Sequence, residues 1–206
     1  MAGATPDEAD APGAPDPDAV VRGARLAVDV GSVRVGLAAS DPDGLVATPV
    51  DTLPRDPRPP APGALPSDVA TIVAEVAERF AAAVYVGLPK HLSGTEGSAA
   101  QAARAYAGAL AQAVAPVPVR LVDERMSTVS AHQALHASGR SGRRHRAVVD
   151  QAAAVVILQT ALDAERSSGR RPGERVTATR PEPPAEERPG GQQDAGRAGH
   201  TEGTTE

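Results

Sequence analysis

Two short apolar runs on either side of Gly31 and Ser32 restrict the start of the fold to a strand, a tight turn and a second strand. The runs are Arg25 to Val30 (RLAVDV) and Val33 to Ala39 (VRVGLAA). Both have the length and the valine content of β-strands. The first run also places a carboxylate, Asp29, among apolar residues. An ionised group there is costly unless it binds a metal ion or hydrogen-bond donors.

Strand-like and helix-like blocks alternate through the middle of the chain. Further strands are predicted over 45–53, 83–87 and 117–122, and Pro49 indicates an edge position or a bend for the first of them. A helix capped by Ser67 or Asp68 should carry apolar residues as far as Phe80. Later helices are predicted over 98–114, 130–137 and 150–162. This order predicts an α/β fold, in which helices pack on a mixed sheet.

Both ends of the chain differ from this middle part in composition. Residues 1–21 contain five acids and no Lys or Arg, and residues 167–206 are rich in Arg, Pro, Glu, Gly and Thr. Neither segment has enough apolar residues to offset the entropy of ordering the chain. We therefore expect a disordered acidic head over 1–21, one domain over 22–166 and a disordered tail over 167–206.

Several classes of protein are excluded by what the sequence lacks. The chain has no Cys, so thiolate metal sites, thiol nucleophiles and disulfides are ruled out. It shows neither an export leader nor an apolar run long enough to span a bilayer, which predicts a soluble, cytoplasmic protein without a membrane partner. With one Phe, two Tyr and no Trp, the chain has few rings for base stacking. A nucleic acid would therefore be recognised through its backbone and shape.

Four acids lie at the ends of separate predicted elements. Asp29 is near the end of the first strand, Asp123 and Glu124 follow a later strand, and Asp150 opens the last helix. A sheet could bring them together, and Mg²⁺ prefers such hard oxygen ligands. Each acid also has a structural alternative, namely hydrogen bonds to the glycine turn for Asp29, a salt bridge to Arg125 for Asp123 and a helix cap for Asp150.

Six basic residues are expected to contact substrate phosphates. Arg34 follows the glycine turn, Lys90 lies in a glycine-rich connection without a Walker motif, and Arg125 lies beside the acids. The other three belong to a basic loop predicted over 138–146, namely Arg143, Arg144 and Arg146. The glycines of this loop predict mobility, and its position before Asp150 would let it deliver substrate to the acids. The alternatives are an ion pair with an acid for Arg34, an ordinary strand-to-helix connection for the segment of Lys90 and a solvated surface turn for the basic loop.

Four segments taken together resemble the YqgF family. They are VDVGSVRVGLAASDP, YVGLP with GTEG, LVDERMST and VVDQAAAVVILQTAL, and they occur in this order between Leu26 and about residue 163. The resemblance implies an RNase H-like fold with a mixed five-stranded sheet and flanking helices. It also implies that Asp29, Glu124 and Asp150 are catalytic acids and metal ligands, with Asp123 beside them and Mg²⁺ or Mn²⁺ as cofactor.

The function that the resemblance implies is metal-dependent hydrolysis of phosphodiester bonds in the 5′-end maturation of pre-16S rRNA, by a monomer or weak homodimer. A Holliday-junction resolvase-like DNA endonuclease is the nearest alternative, because one metal site could cleave either substrate. A non-catalytic ribosome-assembly factor would use the same surface without cleavage. A nucleotide-binding module of the actin and sugar-kinase type shares the glycine turn but needs two lobes, for which the predicted domain is short. The loop at Lys90 departs from the family pattern.

Overall fold

A six-stranded mixed sheet forms the centre of the protein. The computed structural model describes residues 16, 18–57, 61, 63–91, 93–126 and 143–177, with the backbone alone for residues 126 and 143–151. The strands are β1 (Arg25–Val30), β2 (Arg34–Ser40), β3 (Ala47–Pro54), β4 (Ala83–Leu88), β5 (Val119–Asp123) and β6 (Glu174–Arg175), arranged in the order β3-β2-β1-β4-β5-β6. Strand β1 is antiparallel to β2 and parallel to β4, and β4 is parallel to β5. The carboxyl ends of β1, β4 and β5 therefore meet at one edge of the sheet.

Helices cover both faces of this sheet. The described helices are α1 (Ser67–Glu78), α2 (Ser98–Ala113), α3 (Arg143–Ser168) and a short 3₁₀ helix (Glu124–Met126). Leu26 and Val28 of β1 belong to the larger core with α1 and α2, whereas Ala27 belongs to a second core with α3. This alternation is the period of two that a strand imposes. In the described part of the chain, no helix combines the length and apolarity that crossing a membrane requires.

The predicted fold class, an α/β domain with a mixed sheet and flanking helices, is confirmed. Pro49 lies in the edge strand β3, beside a register shift at Leu37 and Ala38, as its lack of an amide donor favours. The predicted count of five strands is wrong, because β6 pairs with β5 through Arg120↔Arg175 and Leu121↔Glu174. A strand of two exposed residues carries no alternation that a sequence pattern could reveal.

The ends of the folded unit extend beyond the predicted boundaries. Asp18 accepts hydrogen bonds from Arg120 at 2.6 Å and from Arg170 at 3.0 Å, and Ala19 forms a backbone bridge with Arg170. Arg171 is buried, and Val176 packs against the larger core. Residues 18–21 and 167–177 are therefore part of the described fold rather than of a disordered head and tail. Ion pairs and backbone hydrogen bonds hold these end segments in place. The spacing of apolar residues in the sequence does not predict such contacts.

Ending the chain after residue 168 is therefore expected to lower the melting temperature, because Arg171, Val176 and the β5–β6 pairing are lost. Ending it after residue 177 keeps all of these contacts and is the matched control. Loss of a few buried contacts amounts to about 1–3 kcal/mol of unfolding free energy, or roughly 5 °C or more in a domain of this size. Thermal unfolding followed by circular dichroism measures both proteins. Equal melting temperatures for the two truncations would contradict the contribution of 169–177.

Helix α1 begins at Ser67, close to the predicted start, but its cap residue and its last residue differ from the prediction. Pro66 occupies the cap position without a side-chain cap bond, and the Ser67 hydroxyl donates to Asp56 at 3.2 Å instead. Phe80 was expected on the apolar face of this helix, but it lies beyond the last helical residue with a φ of 49° and is 86% exposed. The predicted helix over 130–137 lies outside the described residues.

The direction of helix α3 is fixed by a buried ion pair near its end. A guanidinium nitrogen of Arg25, at the start of β1, lies 2.8 Å from a carboxylate oxygen of Glu165. The hydroxyl of Tyr85 also donates to the Glu165 carboxylate. Further back along the helix, Ile157 packs against Gly87 at the end of β4. Helix α3 therefore runs antiparallel to β1, from the carboxyl edge of the sheet towards its amino edge.

Candidate active site

Asp29 and Glu124 lie together at the carboxyl edge of the sheet, on the face that α3 covers. Asp29 follows Ala27 by two residues, so it lies on the same face, and it pairs with Gly36 of β2. Glu124 begins the 3₁₀ helix directly after β5, and its Oε1 atom lies 2.7 Å from the position that a Cβ would take on Gly87. The bare backbone of Gly87 therefore leaves the space that the Glu124 carboxyl group fills.

The electrostatic environment of Glu124 is unfavourable for its negative charge. Burial, followed by the nearby charges of Asp29 and Asp123, raises the pKa of Glu124 to about 7. Among the described residues, no hydrogen bond or ion pair reaches the Glu124 carboxyl group. A divalent cation placed between Asp29 and Glu124 would remove this repulsion, so the oxygen donors present fit a hard cation.

The raised pKa predicts how stability should depend on pH in the absence of divalent ions. The unfolded chain loses the Glu124 proton near its ordinary pKa of 4.5, whereas the folded chain keeps it until about 7. The stability of the parent protein is therefore reduced as pH rises through this window. Glu124→Gln should raise the melting temperature at about pH 8 by several degrees and leave it nearly unchanged at about pH 4. An equal difference at both pH values in thermal unfolding would contradict the burial of this charge.

Asp150 lies within helix α3 and does not open it. The helix begins at Arg143, so the prediction of a helix start at Asp150, and with it the cap alternative, is wrong. Residues 154 and 157 belong to the core beneath α3, and position 150 precedes them by four and seven residues, a spacing that keeps it on the same helix face. Because α3 runs antiparallel to β1, position 150 lies towards the carboxyl edge, on the side of Asp29 and Glu124. The side chain of Asp150 lies outside the described part of the structure.

The structure brings together two of the four predicted metal-binding acids. Among the side chains that it describes, no group of three or more His, Asp or Glu residues is placed to hold a metal ion. Asp123 follows Val122, which packs under α3, so Asp123 points to the other face of the sheet. Its carboxylate accepts hydrogen bonds from the Arg125 guanidinium at 2.7 and 3.0 Å. This is the salt bridge that the sequence analysis gave as the structural alternative for Asp123. Arg125 lowers the pKa of Asp123 to about 2.

Three of the predicted basic residues lie at the same edge of the sheet as the two acids. Arg34 begins β2 on the same face of the sheet as Gly36, and hence on the face of Asp29. Lys90 and Arg125 lie on the opposite face, with the Lys90 Nζ atom 3.7 Å from Asp123. Arg34 therefore shares the face of the two acids, whereas Lys90 and Arg125 lie beside Asp123 on the other face.

The basic loop predicted over 138–146 is partly helical. Residues 143–146 form the first turn of α3, which places the positions of Arg143, Arg144 and Arg146 in a helix. The prediction of a loop at these three positions is wrong, because strong helix formers continue the pattern of α3 towards its start. Positions 138–142 lie outside the described residues.

Two features of the site escaped the sequence analysis. The sequence pattern predicts Gly87 only as a strand residue, whereas its closeness to Glu124 and Ile157 depends on the packing of three elements. Arg55 follows β3 and donates to the Gly31 carbonyl at 2.9 Å, while its guanidinium lies 5.7 Å from the centre of the Tyr106 ring. The sequence signal that points to the contact of Arg55 is the turn at Gly31. A Cβ on Gly31 would lie 2.8 Å from the Arg34 carbonyl oxygen, so this turn has no room for a side chain.

Comparisons with known proteins cover the same part of the chain. Residues 23–164 match the family model described as RuvX, Holliday junction resolvase. A protein of Kineococcus radiotolerans is 59% identical over 156 residues, which is 76% of this chain and 79% of the relative. A protein of Streptomyces coelicolor is 54% identical over 156 residues, 75% of this chain and 89% of the relative. Both relatives carry the name "Putative pre-16S rRNA nuclease".

Solved structures with a similar backbone include T. thermophilus RuvC in complex with a Holliday junction substrate. The TM-score is 0.45 at 20% sequence identity, and the match covers 73% of this chain and 99% of that one.

Proposed function

The chain belongs to the family described as RuvX, Holliday junction resolvase, and on that premise we propose that it hydrolyses phosphodiester bonds of nucleic acid with divalent cations held by Asp29 and Glu124. The observation that carries this proposal is the pair itself. Two acids lie side by side at one sheet edge, and burial and mutual repulsion raise the pKa of one of them to about 7. A protein without a ligand at this edge gains nothing from the placement of Glu124, because a partly buried charge beside other acids destabilises the fold.

Each residue at this edge has a role in the proposed reaction. Asp29 and Glu124 would supply oxygen ligands to the cation, and Asp150, which lies within α3, would supply a third. A bound Mg²⁺ or Mn²⁺ would lower the pKa of the attacking water and stabilise the leaving oxygen. Arg34, Lys90 and Arg125 neutralise the phosphates on either side of the cleaved bond. Asp123 is held by Arg125 and Lys90, so we assign it to the orientation of these cations and no longer to the metal.

We favour precursor 16S rRNA as the substrate, because the relatives that match most of the chain carry that activity in their names. Branched DNA remains the second candidate, because the family description names a Holliday junction resolvase. The residues of the site support both, since metal-bound acids and phosphate contacts carry no base information. We expect a monomer or weak homodimer in the cytoplasm, where such an RNA is made.

A side-by-side assay separates these substrates. The chain is incubated with pre-16S rRNA, an unrelated RNA and a four-way DNA junction at identical salt and Mg²⁺. We expect the precursor RNA to be cut fastest and at its 5′ end. Preferential cutting of the junction would establish the resolvase alternative, and cleavage of none of them by a folded protein would favour a non-catalytic assembly factor.

The three arginines at the start of α3 give a separate prediction about binding. Changing Arg143, Arg144 and Arg146 to Ala in an Asp29→Asn background should weaken RNA binding similarly for unrelated sequences. It should also reduce the salt slope by up to about 2, since each phosphate contact on a single strand releases roughly 0.7 counterion. The positive end of the helix dipole adds to the attraction of phosphate at this point.

The control for this variant carries the same change in charge at the opposite edge of the sheet. It replaces Arg22, Arg79 and Arg166, which pair with Asp43, Glu75 and Asp163. Filter binding at several salt concentrations measures both triple variants. Equal affinities and salt slopes would assign the start of α3 to the solvated surface.

A further inference from the structure

A network of ion pairs runs from strand β6 to the end of β5 beside helix α2. Its centre is Arg104 of α2, whose guanidinium donates to Glu96 at 2.7 and 2.8 Å and to Glu174 of β6 at 2.8 Å twice. Glu96 lies in the connection between β4 and α2, and its Oε1 atom is 3.8 Å from the Lys90 Nζ atom. The same Lys90 Nζ atom is 3.7 Å from Asp123. Lys90 therefore lies between two carboxylates, one of which is bound by Arg104.

The geometry of Arg104 is specific to a guanidinium. Its planar fork donates two hydrogen bonds to each of two carboxylates, which an ammonium group with three N–H donors cannot do. The three elements that it joins are α2, the connection after β4 and β6. Arg104 also lowers the pKa values of Glu96 and Glu174 through these hydrogen bonds. Without Arg104, the charge of Glu96 would have Lys90 as its nearest cation among the described residues.

We propose that Arg104 is a positioning residue for substrate binding: it holds Glu96 against α2 and β6, so that Lys90 is available to the phosphate backbone. The inference rests on the proposed function, in which Lys90 contacts substrate. If Arg104 is lost, Glu96 competes with phosphate for Lys90. The segment that ends in β6 thereby contributes to substrate affinity, although it lies outside the predicted catalytic domain.

The test compares Arg104→Met with Arg104→Met/Glu96→Gln. The dissociation constant for RNA is measured in an Asp29→Asn background, and KM and kcat are measured in the otherwise native chain. We expect Arg104→Met to raise the dissociation constant and KM by roughly three- to tenfold, with kcat within about twofold of the parent. The double variant should recover most of this loss, because the competing carboxylate is gone. A purely structural role of Arg104 would give no recovery.

Arg79→Met is the matched control, because it removes an exposed Arg–Glu pair of 2.7 Å at the other edge of the sheet. Glu174→Gln should weaken RNA binding in the same direction but less, and it serves if Arg104→Met does not fold. An unchanged dissociation constant in a folded Arg104→Met protein, an equal loss in Arg79→Met, or a double variant as weak as the single one would each overturn the proposal. Absence of cleavage by the parent chain would instead reject the proposed function, and the binding series would still decide the role of Arg104.

Discussion

Replacing Asp29 with Asn is expected to abolish cleavage while leaving the fold intact. The amide fills the same volume at the end of β1 but supplies a much weaker ligand for a cation. Removing one preorganised electrostatic contact to a reacting phosphate costs on the order of 10²–10³ in rate, and loss of a metal-binding carboxylate should cost no less. Single-turnover cleavage of a labelled RNA at saturating Mg²⁺ measures the effect.

The control for Asp29→Asn is Asp51→Asn, a change at an exposed residue of the edge strand β3. This change removes the same charge from the sheet and should leave the rate unchanged. Circular dichroism and thermal unfolding establish that both variants are folded. Cleavage by Asp29→Asn at the rate of the parent, in a preparation free of host nucleases, would reject this carboxylate as part of the active site.

Gly87→Ala is expected to cause the second large loss of activity. A Cβ at this position would lie 2.7 Å from Glu124 Oε1 and 2.6 Å from Ile157 Cδ1. Both atoms are at the ends of flexible side chains, so the fold can adapt at a cost of about 1–3 kcal/mol. The adaptation displaces the Glu124 carboxyl group, and a misplacement of about 1 Å in an active site can reduce the rate roughly 100-fold.

The contribution of Glu124 can be separated from that of the core by a second substitution. Ile157→Val removes the Cδ1 atom and should recover part of the melting temperature that Gly87→Ala loses. The contact with Glu124 remains, so activity should stay low in the double variant. Ile157→Val alone should cost about 0.5–1.5 kcal/mol of stability and leave the cleavage rate close to that of the parent. Full activity of Gly87→Ala/Ile157→Val would show that Ile157, and not Glu124, links Gly87 to activity.

The part of the site that the sequence predicted depends on strand ends. Asp29 lies near the end of one apolar run and Glu124 follows another, and parallel neighbouring strands bring such ends together. The structure places Asp123 among the cations Arg125 and Lys90, on the other face of the sheet from Asp29. Consecutive residues at a strand end point to opposite faces of the sheet, so adjacent acids do not share a site.

Other features depend on contacts that lie far apart in the sequence. Strand β6 is held by hydrogen bonds to β5 and by Glu174 with Arg104, 70 residues apart in the chain. The early start of α3 at Arg143 lies in a segment whose charge suggested a loop. The requirement for glycine at position 87 arises where β4, the 3₁₀ helix and α3 meet. A local sequence pattern predicts none of these long-range contacts.

Adding back Mg²⁺ alone after chelation is the most direct test of a metal-dependent nuclease site at Asp29 and Glu124. The parent chain and Glu124→Gln are stripped of divalent ions with EDTA, and cleavage of precursor RNA is then followed as Mg²⁺ is added back. We expect no cleavage by either protein without metal, saturable recovery in the parent and little recovery in Glu124→Gln at any Mg²⁺ concentration. Cleavage by the stripped parent, or equal recovery of both proteins, would contradict a metal-dependent nuclease site at Asp29 and Glu124.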